Sequence, residues 1–570
     1  MEASSGLVHF LVFLGGLGVF IYGMKLMSEG LLKITGRGVR QLFSYLTNRP
    51  FAGILTGFVV TALIQSSSAV SVIVISLVNT SLLTLKQSIG VILGANIGTT
   101  ITSWIISLSL ADLKIETVTV ALIIMGVGFP MIFSKLSRIR STAEFLIGFS
   151  FMLLGLGYMS NAIPDLSTDN ELLAFLQYYE VDLSSTMLSM LLGVALTLIV
   201  QSSSVAVGMV QVLAAQGVLP MEFAASILIG SNIGTTVTTN IASLVGTRSA
   251  KQAARVHSLI NVVGAVWMMF ILSYFIHGVD WVCLNYFDAN YSVFSTIPAE
   301  RGDAMPIALA TFHTGFNVLN VILMVWFIPL LVKTSKFLVS KRESYLNASK
   351  LDKNYIIEIP ELEILEAKGE LLNLSKVSQG IYLKVHEGFK TQSVERSFLN
   401  EIDHSIEEVK SINTRLINYL TTVFQEHPSA ETSEILVNMG RITSDMKEIG
   451  LTCHNIAELV YNKTEKRLVI EEKIFRSLDQ MFGHISEGFD YVVTDIYKNS
   501  KVDIEKYRIL EEKIHHLQNH LRMVQIAKMD ENEYVEAIFL SKEIAVQLAL
   551  LTRQLYRVSE VLSSKSGKNW

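Results

Sequence analysis

Thr61-Ala62-Leu63-Ile64-Gln65-Ser66-Ser67-Ser68 recurs 136 residues later as Thr197-Leu198-Ile199-Val200-Gln201-Ser202-Ser203-Ser204. A second motif, Gly94-Ala95-Asn96-Ile97-Gly98-Thr99-Thr100, recurs as Gly230-Ser231-Asn232-Ile233-Gly234-Thr235-Thr236 at the same offset. Residues 57–104 align with 193–240 without a gap, with 16 identities in 48 positions. Two unusual polar motifs at one constant offset indicate an internal duplication, with repeats at about 51–111 and 183–247.

Both repeats lie in strongly apolar sequence. A membrane span takes roughly 20 apolar residues. Several uncharged runs exceed that length and are interrupted by Gly, Gln and Ser, which predicts broken helices or re-entrant hairpins. These runs are Phe51–Leu85, Gln87–Ala111, Leu183–Met221 and Phe223–Thr247. Simpler spans are predicted at 6–24, 117–134, 142–160, 257–278 and 306–332.

Charge divides the chain near residue 340. Residues 341–570 hold 66 of the 97 Asp, Glu, Lys and Arg residues, which predicts a transmembrane core at 1–340 and a soluble unit at 345–565. The soluble unit has heptad-like apolar spacing and one proline after residue 361, so it should be a helical bundle. The fold class expected is therefore all-α: a polytopic membrane protein with inverted repeats and re-entrant helical hairpins, followed by a soluble helical bundle. The tail Ser563–Trp570 is predicted to be disordered.

Loop charges predict the orientation, because basic loops stay in the cytoplasm. The basic loops and the bundle should then be cytoplasmic, and an acidic loop and residues 279–303 external. The first repeat is entered from the basic side and the second from the acidic side, so the two repeats should have opposite topology. Inverted repeats of broken helices place binding sites near the bilayer midplane. The basic residues are Lys33, Arg37, Arg40, Arg49, Lys135, Arg138, Arg140, Arg248, Lys251, Arg255, Lys333, Lys336, Lys341 and Arg342, and the acidic ones are Asp165, Asp169, Glu171, Glu180 and Asp182.

The Gln-Ser-Ser-Ser motifs are suited to an oxyanion. Such a cluster is costly in hydrocarbon unless it lines a cavity or bonds to protein. Six hydroxyls and two amides offer many donors and few fixed charges. A helix starting at the serines would add backbone N–H groups and the positive end of its dipole. The alternative is that the serines mediate close helix packing or bond back to their own helix.

Gly-x-Asn-Ile-Gly-Thr-Thr indicates a break in a helix, because glycine permits unusual backbone angles. Unwound carbonyls, the Asn oxygen and the Thr hydroxyls are hard oxygen ligands suited to sodium. A structural kink with Thr-to-backbone bonds is the compatible alternative. Neither motif run contains Lys or Arg, so a bound anion would need co-bound cations for compensation, which gives a physical reason for coupling.

For other polar residues in the predicted membrane core, a structural role is the favoured interpretation. Lys25 and Glu29 are expected to pair with each other. The segments His257–Asn261 and His313–Asn317 each place a His and an Asn on one helix face. These pairs could line the cavity or tune pH dependence, but interhelical hydrogen bonds are the favoured interpretation.

Composition excludes several classes of protein. A net charge of -5 argues against a nucleic-acid partner. The two cysteines, Cys283 and Cys453, offer neither a disulfide framework nor a metal-type cluster. The sequence shows no convincing nucleophile–base pair, so an enzyme is not expected.

The paired motifs resemble those of the type II sodium/phosphate cotransporters, in their bacterial branch, over about residues 5–335. The resemblance implies sodium-driven phosphate import across the bacterial inner membrane, with sodium as coupling ion and no other cofactor. It implies re-entrant hairpins that bind substrate through Gln65, Ser66, Ser67, Ser68, Gln201, Ser202, Ser203 and Ser204. The matching residues expected to bind sodium are Asn96, Thr99, Thr100, Asn232, Thr235 and Thr236.

The segment Lys447–Glu458 resembles the signature of PhoU-like phosphate-regulatory bundles. Members of that family often carry acidic residues there that bind metal clusters, but Lys447 and Leu451 stand at the acidic positions in this chain. A regulatory or dimerising cytoplasmic bundle is therefore expected rather than a metal site. Two rival functions stay open: transport of another oxyanion, such as sulfate or arsenate, and a phosphate receptor that signals through the bundle.

Overall fold

A computed structural model describes residues 2–44, 50–79, 83–110, 117–163, 182–244, 246–287, 289–339, 360–391, 393–425, 428, 430–498, 502–528 and 535–564. Within these ranges every regular element is a helix, so the all-α prediction is confirmed. The chain divides into two compact units, Met1–Ser349 and Lys350–Trp570. Most of the acidic loop, Arg49, Lys341, Arg342 and residues 565–570 of the tail lie outside the described residues.

The helices of the first unit expose many large apolar side chains at their surface, among them Ile199, Phe270 and Trp326. Its helices are α1 (Glu2–Ser44), α2 (Pro50–Ile64), α3 (Ser67–Asn79), α4 (Leu85–Gly98), α5 (Thr100–Leu110), α6 (Thr117–Met131), α7 (Ser137–Asn161), α8 (Leu183–Val200), α9 (Ser203–Ala215), α10 (Met221–Ser243), α11 (Arg248–Tyr286), α12 (Pro298–Trp326) and α13 (Ile328–Leu338).

Six helical stretches in the described residues are long and apolar enough to cross a membrane. Their length matches the roughly 30 Å hydrocarbon core of a bilayer, so the protein is a multi-pass membrane protein. They are Leu7–Thr35, Leu85–Leu110, Ser137–Asn161, Leu183–Val200, Arg248–Tyr286 and Ala299–Trp326.

Glycines set the closest helix contacts of this unit. A methyl group at Gly57 would overlap the Val91 carbonyl, and one at Gly94 would overlap the Ile54 carbonyl, so α2 and α4 pack backbone to backbone. At the positions 136 residues later, α8 and α10 make the same contacts through Gly193 and Gly230. Small residues allow such close approach in membranes. The sequence duplication is therefore also a duplication of helix packing.

α1 and α7 form another close pair. Gly23 of α1 packs against the backbone of Met152, and Gly148 of α7 packs against that of Met27. The ion pair predicted between Lys25 and Glu29 joins Nζ and Oε1 at 3.9 Å.

The second unit is a bundle of six described helices. Its core includes stacked aromatic rings, such as Phe389 on Phe482 at 5.0 Å between centroids, and the Tyr382 hydroxyl donates to the Phe482 carbonyl at 2.6 Å. Cys453 is fully buried in this unit. The helices are α14 (Pro360–Lys390), α15 (Arg396–Gln425), α16 (Ala430–Glu465), α17 (Glu472–Lys498), α18 (Ile504–Lys528) and α19 (Val535–Ser563).

Candidate functional site

Each Gln-Ser-Ser-Ser motif forms the tip of a helical hairpin. α2 ends at Ile64 and α3 begins at Ser67, and α8 and α9 are separated in the same way by Gln201 and Ser202. Gln65 and Gln201 both adopt φ 57°. This left-handed conformation costs a non-glycine residue about 1–2 kcal/mol. Among the described residues only one other non-glycine residue, Arg467, has positive φ, so the bend is a shared and unusual feature of the two motifs.

The serines form the N-termini of the second helix in each hairpin. The Ala69 N–H donates to Ser66 Oγ at 3.2 Å, and the Val205 N–H donates to Ser202 Oγ at 3.3 Å. Side-chain oxygens at this position satisfy one of the free N–H groups of a helix start. The remaining N–H groups and the positive dipole end make each tip suited to an anion.

The two tips touch each other. Ser204 Oγ donates to the Gln65 carbonyl oxygen at 3.2 Å, in a contact between the two repeats. Ser67, Ser203 and Ser204 are each 4% exposed. The fold therefore brings together the two motifs that the sequence predicted to meet.

The two glutamines are in different environments. Gln65 is buried; its Nε2 donates to the Ala62 carbonyl at 2.5 Å and its Oε1 accepts from Thr102 Oγ1 at 2.7 Å. Gln201 is exposed at the surface of the unit. The Gln65 amide is thus engaged within its own repeat, whereas the Gln201 amide is accessible. This difference could not be predicted from the motifs, because they are identical in sequence.

The helix break predicted at Gly-x-Asn-Ile-Gly-Thr-Thr is wrong for the second repeat. α10 runs unbroken from Met221 to Ser243 through Asn232, and in the first repeat only Thr99 separates α4 from α5. In the second repeat the motif hydroxyls bond back to their own helix: Thr235 Oγ1 donates to the Ser231 carbonyl at 3.0 Å. The glycines serve close packing instead of unwinding, since Gly234 lies against the Thr197 side chain.

The threonines of this motif differ in their partners. Thr99 Oγ1 donates to Ser67 Oγ at 3.2 Å, which links α4 to the first hairpin tip. Thr100 and Thr236 donate to the carbonyls of Ile97 and Ile233, each at 2.8 Å. Of the predicted cation ligands, Thr99 therefore contacts the predicted substrate residues directly.

The asparagines of the motif contact helices α11 and α12, which follow the second repeat in the sequence. Asn96 Nδ2 donates to Asn261 Oδ1 at 2.7 Å, and Asn232 Nδ2 donates to Asn317 Oδ1 at 3.1 Å. His257 Nδ1 lies 3.2 Å from Thr239 Oγ1 of α10. The favoured interpretation of the His-Asn pairs, interhelical hydrogen bonding, is confirmed for His257, Asn261 and Asn317. It is not confirmed for His313, whose two ring nitrogens are buried without a hydrogen-bond partner in the described residues.

Some polar groups near the site were not singled out from the sequence. Ser28 Oγ of α1 donates to the Ile64 carbonyl at 2.6 Å, just before the first tip. The hydroxyls of Thr61 and Thr197, one turn before the glutamines, are buried and without a hydrogen-bond partner in the described residues. Both threonines are part of the repeat, so their shared position was the available signal.

The comparison with protein families gives one match. Residues 19–161 and 174–282 match the family model described as Na+/Pi-cotransporter. This match includes all four motif segments. No solved structure matches the chain.

The curated relatives include bacterial and animal proteins. An uncharacterized Bacillus subtilis protein, YqeW, is 31% identical over 251 residues, which are 44% of this chain and 78% of that protein. YjbB of Salmonella typhimurium, named for a proposed role in inorganic phosphate export, is 20% identical over 502 residues, 87% of this chain and 86% of that protein. Human sodium-dependent phosphate transport protein 2B is 38% identical over 105 residues, 18% of this chain and 15% of that protein.

Proposed function

Because the chain belongs to the Na+/Pi-cotransporter family, we propose that it is a symporter that imports inorganic phosphate together with sodium by alternating access. The observation that carries this proposal is the contact between the two duplicated hairpin tips, Ser204 Oγ to the Gln65 carbonyl. Two helix N-termini with clustered hydroxyls meet there, and that chemistry suits a tetrahedral oxyanion. Transport of phosphate as such is what the family description and the named relatives support.

The proposed substrate site consists of the two tips. Hydroxyls and helix N–H groups would donate to the phosphate oxygens, and the exposed Gln201 amide would add a donor. Gln65 would act differently, because its amide is already bonded to Thr102 and to the Ala62 carbonyl. Its role in this proposal is to hold the shape of the first tip.

The proposed sodium sites lie beside the tips, at Asn96, Thr99 and Thr100 and at Asn232, Thr235 and Thr236. Thr99 supports this placement, since its hydroxyl already contacts Ser67 of the first tip. Neither motif run carries Lys or Arg, so burial of a phosphate anion requires a compensating cation. Sodium supplies that charge, and the requirement couples the two ions.

Import is the proposed direction because both driving forces point inward. If one net positive charge enters per cycle, the membrane potential contributes about 2.3 kcal/mol per 100 mV, enough for a roughly 50-fold gradient. The name of the YjbB relatives favours the opposite direction, export. Direction is therefore part of the test. We place the protein in the bacterial inner membrane, with the bundle as a cytoplasmic, PhoU-like regulatory unit that dimerises.

The test is uptake of radiolabelled phosphate into proteoliposomes. An inward sodium gradient should drive accumulation, and replacing sodium with choline should abolish it. Uptake indifferent to sodium would refute the coupling, and phosphate binding without net flux would favour the receptor. Competition by sulfate or arsenate at equal concentration identifies another oxyanion as substrate. Efflux from phosphate-loaded vesicles under a physiological gradient would indicate export.

A further inference from the structure

A hydrogen-bonded network of four asparagines connects the two repeats through helices α11 and α12. Asn96 of the first repeat donates to Asn261 of α11, and Asn261 Nδ2 donates in turn to the backbone carbonyl of Asn232 in the second repeat at 2.9 Å. Asn232 donates to Asn317 of α12, whose Nδ2 donates to the His313 carbonyl at 2.8 Å. All four side chains are at most 6% exposed.

Two backbone carbonyls in this network determine the orientation of all four asparagine amides. A carbonyl oxygen only accepts hydrogen bonds, so the NH2 groups of Asn261 and Asn317 must face the carbonyls of Asn232 and His313. Their Oδ1 atoms are then turned to Asn96 and Asn232, which must use their own NH2 groups as donors. The orientation of both motif asparagines is thereby determined by the protein.

An asparagine whose NH2 group is held on one side presents its carbonyl oxygen on the other. Only that oxygen can bind a cation, because the NH2 end carries hydrogens. Hard cations prefer such oxygen ligands, and groups behind a ligand that fix its orientation typically change ion affinity 10- to 100-fold when they are removed. The arrangement occurs twice, once in each repeat, at the same motif position.

We propose that Asn261 and Asn317 are positioning residues that hold the Asn96 and Asn232 side-chain oxygens toward bound sodium. This inference rests on the proposed function, since it presumes sodium sites at the two motifs. It adds residues from outside the repeats to the cation sites. Because Asn261 contacts both repeats, it also places the two sites in one hydrogen-bonded network.

The test compares Asn261→Leu and Asn317→Leu with Asn320→Leu in the proteoliposome assay. Asn320 is a matched control: it is equally buried and bonds the same two helices through the Ile260 carbonyl and the Trp267 Nε1, but neither of those groups belongs to a motif. At saturating phosphate, the first two variants should raise the sodium concentration for half-maximal uptake at least about tenfold. Asn320→Leu should leave it within about twofold of the wild type, since it touches no proposed cation ligand.

The outcomes separate the inference from the proposed function. If the wild type ignores sodium, the proposed coupling fails and the inference fails with it. If the wild type needs sodium but all three Leu variants share one sodium dependence, the positioning role alone is overturned. Should the Leu variants not assemble, the smaller changes Asn261→Ala and Asn317→Ala decide the matter, because each removes the acceptor for the motif asparagine without adding bulk. An unchanged sodium dependence of these Ala variants would overturn the positioning role. Loss of assembly is detected as loss of protection of the buried Cys283 thiol.

Discussion

At the residue scale, the two motif glutamines show how one sequence can take two environments. Both share a left-handed backbone, yet only Gln65 is buried against Thr102. The duplicated sequence predicted which side chains lie at the tips. It could not predict which amide is free, because that depends on neighbours from helices outside the motif. The hydrogen-bond partners of Asn96 and Asn232 could not be predicted either, because they too belong to helices outside the motif. The His-Asn spacing indicated only that interhelical bonds exist.

Gln201→Gly should weaken phosphate affinity without weakening the fold. Glycine adopts positive φ freely, so only the amide is lost. A hydrogen bond to a charged group contributes about 1.5–3 kcal/mol, which corresponds to a rise in the KM for phosphate of roughly tenfold or more. Phosphate-dependent uptake measures this change.

The matched change in the first repeat is Gln65→Gly. It removes the bond from Thr102. Since relief of the left-handed backbone is common to both variants, Gln65→Gly should have a free energy of unfolding about 1 kcal/mol lower than that of Gln201→Gly, seen as a lower midpoint of thermal unfolding in detergent. Equal effects of the two variants on both readouts would contradict the asymmetry of the tips.

The bundle contains a histidine that should make its stability depend on pH. His386 stacks on Phe482 and its Nε2 lies 2.7 Å from Asp479 Oδ1. Burial lowers the pKa of His386, with Lys390 adding to the effect, while Asp479 opposes it. Because its folded-state pKa is below the unfolded value, His386 contributes stability above about pH 6.5 that is lost as pH falls. Acidification should therefore lower the stability of the bundle.

His386→Gln should reduce this acid sensitivity, because glutamine keeps a donor for Asp479 and does not titrate. The readout is thiol labelling of the buried Cys453 in full-length protein carrying Cys283→Ser. Between pH 7 and pH 5 the labelling rate of the parent should increase relative to the variant. Taking the ratio at each pH cancels the pH dependence of the reagent. A constant ratio would refute the role of His386.

At the element scale, the sequence predicted correctly that helices are broken. It also predicted a break at Gly-x-Asn-Ile-Gly-Thr-Thr, where the second repeat has a continuous helix. The glycine and hydroxyl residues of Gly-x-Asn-Ile-Gly-Thr-Thr predict an unwound helix. In α10 the Thr235 hydroxyl bonds to the preceding turn, so the helix continues, and the glycines admit a neighbouring backbone. The true break falls at Gln201, a residue with no intrinsic preference for left-handed angles. The Gln and Ser cluster indicated the break itself, but tertiary packing decides the left-handed angle, which local sequence does not predict.

Gly230→Ala should disrupt the packing of α8 on α10. A methyl group there would overlap the Met190 carbonyl, which belongs to the backbone and cannot rotate away. Overpacking of this kind costs about 1–3 kcal/mol. Cys283 lies in the same apolar cluster as Met190, so its labelling rate in a Cys453→Ser background reports the loss, with an expected increase of about tenfold.

The control for this change is Gly278→Ala on α11. Nothing lies within 4 Å of a methyl group at that position. Alanine favours helix by up to about 1 kcal/mol over glycine, so this variant should label no faster than its parent. Faster labelling of both variants alike would show that helix spacing is not set by the glycine at 230.

At the scale of the whole molecule, the charge distribution predicted two parts, and the chain forms two compact units. The family match covers segments of the first unit alone. Hydropathy indicated the spans because unpaired backbone groups are not tolerated in hydrocarbon. The opposite topology of the two repeats rests on loop charge and stays a prediction, since much of the acidic loop lies outside the described residues.

Cysteine labelling of intact cells tests that topology. In a background with Cys283→Ser and Cys453→Ser, Ser137→Cys at the start of α7 should be protected from a membrane-impermeant thiol reagent until the cells are opened. Thr296→Cys, in the segment before α12, should react at once. The reason for the difference is that basic loops face the cytoplasm, which leaves residues 279–303 on the external side. Both positions are exposed, so accessibility within the fold does not limit either reaction. Labelling of both from the same side would exclude the inverted arrangement.

The single proton of the Ser204 hydroxyl has a consequence for how the transporter cycles. In the structure that proton is given to the Gln65 carbonyl, and a hydroxyl can give it to only one acceptor at a time. An anion that accepts this proton would break this hydrogen bond between the two tips at the moment of binding. The same hydroxyl would then stabilise the contact between the tips in the empty protein and bind the anion in the loaded one.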